Sequence, residues 1–307
     1  MVVALVGTNW FKVKRRLDEL VSEFVSKHGD LALEKLDAED VEYSQILGAV
    51  ESLPFLASKK MVIVHNLSAS KEAAEQLEQL IARAGDTTDL IMLESKVDKR
   101  GTYYKQLKKL KGFEEFNDPD ARSLVDWLVR EAKAGGATLV PADAQYLVDR
   151  VGANQTALAH ELEKLVQYDP HVTKQTIELL TDQTPTSTVF NLIDSAFSGN
   201  LKAALKTYDE QRAQKVEPQA IHGMLVWQMN IVAACSAAGD KSSSVVAAET
   251  SLNPYVVGKS QTIARRMGRA KISQFLALLR DIDYTSKHQT YDYDQAMRYA
   301  IVSLAQN

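Results

Sequence analysis

The chain has 307 residues, 45% hydrophobic and 25% charged, the make-up of an ordinary soluble globular protein of about two or three domains. A net charge of −4 excludes a basic nucleic-acid coat, so any contact with phosphates has to come from a local patch. No contiguous apolar run approaches the ~18 residues that span a bilayer. The opening MVVALVGTNW lacks the features of a signal peptide, and Cys235, the single cysteine, rules out an intrachain disulfide, so the expectation is a cytoplasmic protein with no membrane partner.

The first stretch alternates between strand and helix signals. Residues 2–7 form a continuous apolar run closed by glycine, as a buried strand does, and Asn9 is placed to cap the helix after it. That helix carries Phe11, Val13, Leu17, Leu20, Val21 and Phe24 at helical spacing. Leu31, Leu33 and Leu36 give a short second strand, and a helix runs from Asp40 to Glu51. A third strand spans 61–64, a polar helix 71–84, a fourth strand 90–93, a basic helix 103–110 and a last strand 113–116. Alternation at this spacing predicts a parallel sheet with helices on its faces.

The turn at Asn117-Asp118-Pro119-Asp120 sets a first boundary, so the α/β domain occupies 1–118. Helices over 121–134, 141–151, 155–168 and 173–180 make a small helical domain of 119–184. Thr184-Pro185-Thr186-Ser187 marks the second boundary, and residues 185–307 read as helices only: 189–197, 201–214, 218–238, 254–267, 272–287 and 293–305. No repeat of fixed period is present.

The expected chemistry is sparse. A phosphate loop after Gly7 needs Gly, Lys and Ser or Thr at 12–14, where the chain has Lys12, Val13 and Lys14. The one Gly-Lys-Ser, Gly258-Lys259-Ser260, opens no strand–loop–helix unit. The strands that in an ATPase end in Asp-Glu end here in His65-Asn66 and Glu94-Ser95, and a lone Glu94 reads as a solvated edge residue. His160-Glu161 lacks the second histidine of a zinc helix, and Cys235 reads as a small buried hydrophobe. No catalytic residue, metal or cofactor is expected.

Two basic stretches stand out. Residues 96–111 hold Lys96, Lys99, Arg100, Lys105, Lys108, Lys109 and Lys111 against Asp98, with Tyr103 and Tyr104 interleaved. They read either as a nucleic-acid groove or as a solvated helix face covering the sheet with Leu107 and Leu110. Residues 265–271 read as an interdomain or intersubunit surface, or as a DNA contact. A third oddity is SLPFLASKKMVIVHN, residues 52–66, where Leu53, Pro54, Phe55 and Leu56 sit between a helix end and a buried strand. Either they fold back on the sheet or they form an exposed apolar anchor.

Several segments, in order, resemble the delta subunit family of the bacterial DNA polymerase III clamp loader. They are Ala4-Leu5-Val6-Gly7, the run 52–64, Lys96-Val97-Asp98-Lys99-Arg100 with Tyr104-Lys105, Val151-Gly152-Ala153-Asn154 with the helix 158–165, the run 189–196, Asn253-Pro254-Tyr255-Val256-Val257, and 281–287. The resemblance implies a RecA-like AAA+ domain without Walker motifs, a small helical lid and an all-α collar that oligomerises. It also implies no ATPase chemistry of its own, although the family belongs to the polymerase III holoenzyme. The implied function is to bind and help open the sliding clamp for loading onto primed DNA. Implied partners are the beta clamp, the gamma/tau ATPase subunits, delta prime and primer-template DNA. Matched by motif, Phe55 and Leu56, with Leu53 beside them, are the clamp-binding residues. Lys105, Lys108, Lys109 and Tyr293 are the candidate DNA contacts. Two rivals remain at this stage, an α/β nucleotide-binding enzyme with a degenerate phosphate loop and a helical adaptor or scaffold.

Overall fold

The computed structural model describes residues 1–54 and 57–305. Contacts divide the chain into two compact units, Met1–Asp118 and Pro119–Asn307.

The first unit is α/β. In chain order it holds β1 (Val2–Val6), α1 (Trp10–His28), β2 (Leu33–Asp37), α2 (Tyr43–Glu51), β3 (Lys60–His65), a single 3-10 turn (Leu67–Ala69), α3 (Lys71–Glu75), α4 (Leu77–Arg83), β4 (Thr88–Glu94), α5 (Thr102–Leu107) and β5 (Gly112–Glu115). The five strands pair in parallel in the order β2-β3-β4-β1-β5. Side chains alternate across the sheet. Ala4, Val6, Val62, Val64, Leu90 and Met92 pack against Ile46, Leu77, Leu80 and Leu107 on one face. Val3, Leu5, Met61, Ile63, Ile91 and Leu93 pack against Val13, Leu20 and Phe24 of α1 on the other. Burial on both faces is why the central strands β1, β3 and β4 read as apolar runs, while the edge strands β2 and β5 carry charges.

Several boundaries shift from the sequence reading, three of them by more than fraying of an end. The helix read over 71–84 is broken at Gln76 (φ −99°, ψ 17°), which closes α3 and precedes α4. The basic helix ends at Leu107, and Lys108 to Leu110 continue as a turn. Leu31, read as part of the second strand, is exposed before β2 begins.

The second unit is mostly helical. It comprises α6 (Ala121–Ala134), β6 (Thr138–Leu139), α7 (Pro141–Val151), α8 (Gln155–Tyr168), β7 (His171–Val172), α9 (Lys174–Leu180), α10 (Pro185–Phe197), α11 (Leu201–Ala213), α12 (Pro218–Ala238), α13 (Ser243–Thr250), α14 (Pro254–His288) and α15 (Tyr293–Ala305). The two short strands pair in parallel. The helices read separately over 254–267 and 272–287 are two helical segments, together labelled α14, that meet at a kink at Gly268, whose φ of 75° and ψ of 158° are not helical.

Residues on either side of 184 are tied together. Asp149 of α7 accepts a hydrogen bond from the Tyr255 hydroxyl at 2.6 Å and pairs with Lys259 at 2.6 Å, both on α14. Among the described residues, α12 is the one helix long and apolar enough to cross a membrane by length and composition. A reading based on contiguous apolar runs passes over it. In the fold it is a core helix, with Ile221, Leu225, Met229, Val232 and Cys235 buried in the main cluster of the second unit.

Candidate partner-binding site

The connection between α2 and β3 is short and held at both ends. Ser52 closes α2, its N–H donating to the Gly48 carbonyl. Lys60, first residue of β3, is only 5% exposed. Its ammonium turns back to donate to the Ala49 carbonyl and, at 2.6 Å, to the Ser52 hydroxyl. A cation on the last carbonyls of a helix satisfies orphan acceptors and opposes the helix dipole. Burial lowers the Lys60 pKa, partly offset by Glu34. On the far side, the Ser58 hydroxyl is 3.0 Å from His28 Nδ1, and Lys59 lies 3.6 Å from Asp89.

Between these anchors Leu53 is 81% exposed. No fold-back covers it. Phe55 and Leu56, matched to the clamp-binding pair, lie outside the described residues. Lys60 was missed in the sequence reading. The available signal was a lysine at the head of a wholly apolar strand, where a charge survives only with partners.

The carboxyl ends of β1, β3 and β4 are where α/β sheets place ligands. Here the backbone is occupied. The Gly7 N–H donates to the Glu94 carbonyl at 2.9 Å and the Asn9 N–H to the Phe116 carbonyl at 3.0 Å. The Asn9 side chain caps α1 by accepting from Lys12 N. After β3, Asn66 takes a left-handed conformation (φ 53°) and points its amide at Asp37, at 3.4 Å.

Glu94 corrects the sequence reading. It is not a solvated edge residue but 1% exposed. Its carboxylate accepts the Ser68 N–H at 2.9 Å, the Ser68 hydroxyl at 2.5 Å and the Tyr103 hydroxyl at 2.6 Å. A carboxylate leaves water only when its acceptors are filled, and three donors fill this one. Burial first, then the charge of Glu94, raises the Tyr103 pKa far above the usual phenol range.

The basic stretch separates into anchors and free charges. Tyr104 is buried, edge-on to Phe113, and donates to Glu115 at 3.0 Å. Lys99 pairs with the same carboxylate at 2.5 Å, and Arg100 pairs with Asp98 at 3.4 Å. Burial works against the Glu115 carboxylate, but Lys99 and Tyr104 outweigh it and hold its pKa below the ordinary value. Lys105, Lys108 and Lys109 are exposed on and just after α5. Tyr293 lies in the other unit, at the start of α15. It is half-buried, and its hydroxyl is 2.9 Å from Nδ1 of His222.

The decoy motifs have ordinary structural roles. Lys259 belongs to the Asp149 tie, and Ser260 accepts from Gln228 at 2.9 Å. Glu161 pairs with Lys164. Arg266 binds Asp194 at 2.6 Å and Ser198 at 2.8 Å, which ties the second basic stretch to α10 and the turn after it. Cys235 is buried, and burial raises its thiol pKa. Among the described residues no group of His, Cys, Asp and Glu has metal-binding geometry.

Comparison with known proteins adds an independent line. Residues 4–116 match the family model of the DNA polymerase III delta subunit, and residues 186–304 match the model for the C-terminal domain of that same delta family. The chain is 22% identical over 303 residues to DNA polymerase III subunit delta of Bacillus subtilis, an alignment covering 93% of this chain and 87% of that protein. In structure it is similar to the Bacillus subtilis DNA clamp loader delta protein, with a TM-score of 0.80 and 21% identity over 100% of this chain and 95% of the other. That likeness extends to the fold, a parallel-sheet α/β core followed by a helical region.

Proposed function

The chain belongs to the DNA polymerase III delta subunit family, and from that premise we propose that it serves in a replication clamp loader, binding the sliding clamp and helping to open it for loading onto primed DNA. Its partners on this reading are the beta clamp, the gamma/tau ATPase subunits, delta prime and primer-template DNA, all in the cytoplasm. The division of labour is threefold: a clamp-binding AAA+ domain over 1–118, a lid over 119–184 and a collar over 185–307. ATP chemistry belongs to the neighbouring subunits. In this chain the backbone donors beside β1 are spent on Glu94 and Phe116, which favours action by contact over action by catalysis.

The observation that carries the clamp site is Leu53, 81% exposed on a connection pinned by Lys60 at one end and Ser58 at the other. A large apolar side chain presented on a held loop suits insertion into a partner's pocket. Phe55 and Leu56 are the core of the contact and Leu53 its flank. Lys105, Lys108, Lys109 and Tyr293 are the proposed DNA contacts.

Burying two such side chains contributes about 1.5–3 kcal/mol each. The double variant Phe55→Ala, Leu56→Ala is therefore expected to bind the clamp at least ~100-fold more weakly, with unchanged circular dichroism. Wild-type affinity in that variant would move the site elsewhere. Micromolar ATP binding with turnover by the isolated chain would instead favour the degenerate nucleotide enzyme, and failure to bind the clamp at all would favour the adaptor.

A further inference from the structure

The five lysines Lys96, Lys105, Lys108, Lys109 and Lys111 are all exposed, while the other two cations of the same stretch, Lys99 and Arg100, are paired with acids. Among the described residues none of the five ammonium groups has an acidic partner within ion-pair distance. Both tyrosines between them face inward. Tyr103 is tied to the buried carboxylate of Glu94 and Tyr104 to Glu115, so neither phenol is offered to a base or a partner pocket. Gln106 adds a third tie, donating to Glu78 of α4 at 3.1 Å.

We infer that this segment is a rigid lysine platform for the phosphate backbone of duplex nucleic acid, and that Glu94, through Tyr103, is the residue that positions it. The inference rests on the clamp-loader reading and sharpens its DNA contact. Exposed charge without an exposed aromatic or a free arginine fork fits sequence-independent phosphate neutralisation. It lacks the desolvated aromatic or arginine centre that gives protein interfaces most of their affinity, so an acidic protein surface is the weaker match. The carboxylate at the end of β4 thus has a definite task with no part in hydrolysis. It holds the tyrosine that holds the helix.

The test uses the full chain assembled with its loader partners and a fluorescent primer-template, with affinity measured against salt concentration. For Lys105→Gln, Lys108→Gln, Lys109→Gln, the log–log slope should shrink by about 2–3, at about 0.9 for each phosphate no longer neutralised. Tyr103→Phe removes only the hydroxyl. It should shrink the slope by about 1 with clamp binding at its wild-type value, although loss of the bond to the buried Glu94 carboxylate lowers the thermal midpoint, a split between DNA and clamp that a purely stabilising tie does not produce. An unchanged slope in the triple variant overturns the platform and leaves the clamp reading standing, since clamp affinity is measured separately. A shrunken slope in the triple variant with a wild-type slope in Tyr103→Phe overturns the positioning role. Loss of affinity for a loader subunit, without loss of DNA, would assign the lysines to an acidic protein partner instead.

Discussion

A methyl group on residue 7 would lie 2.0 Å from the carbonyl oxygen of Phe116, and the backbone there has φ +135°. Both facts demand glycine, one by close approach of β5 and the other by conformation. Gly7→Ala should therefore cost about 2–4 kcal/mol of stability in a urea titration. A midpoint within error of wild type would mean that the end of β1 is more yielding than its hydrogen bonds suggest. The sequence shows this glycine plainly but not its reason. A glycine closing an apolar strand signals a tight turn, and whether phosphate or protein backbone fills the space depends on chain far away. Glu94 shows the same limit. Nothing adjacent to it announces burial, because its three donors come from Ser68 and Tyr103 on two other segments. Leu53 was legible as an anomaly, since a leucine beside proline at an element boundary has no core to join.

The connection proposed to meet the clamp depends on how its flanking elements end. α2 stops at Ser52, and the Lys60 ammonium holds that end to the strand that follows. Lys60→Met keeps the buried stem and removes both hydrogen bonds, so the last turn of α2 is free to fray and the loop enters the clamp less ordered. Ordering a loop on binding costs about 0.5–1.5 kcal/mol per immobilised side chain, which predicts clamp affinity roughly 3–10-fold weaker by surface plasmon resonance. Folding stability should change little, because relief from burying a charge offsets the lost bonds. Equal affinity would show that Ser58 and His28 suffice to hold the loop. Element legibility followed periodicity. The strands and long helices were visible because a single face or both faces are apolar. The break at Gln76, the two-residue strands β6 and β7, and α13, with its short run of small residues, carry no period long enough to read.

At the scale of the molecule, each unit is tied by tyrosine hydroxyls donating to carboxylates. In the first, Tyr103 joins α5 to β4 through Glu94. In the second, Tyr255 joins α14 to α7 through Asp149, and Tyr208 joins α11 to α15 through Asp294 at 2.9 Å. Burial, followed by the neighbouring carboxylate, raises all three pKa values above the ordinary 10.0. A raised folded pKa means that the protonated form is favoured by folding. The stabilisation is complete below pH 10 and is lost as pH climbs above it. Lys60, with a lowered pKa, works in the opposite sense, its cost easing as pH approaches 10.5. The tyrosine effect takes over beyond that point, so both units are expected to unfold in strong alkali. Near-ultraviolet absorbance should show a late group of tyrosines, Tyr103, Tyr208 and Tyr255 among them, ionising only as helicity disappears. Tyr255→Phe should remove part of the late signal and make the helical unit less sensitive to alkali. If all the tyrosines ionised together near pH 10 with the helices intact, these hydroxyl–carboxylate ties would have to be weaker than their burial and distances imply.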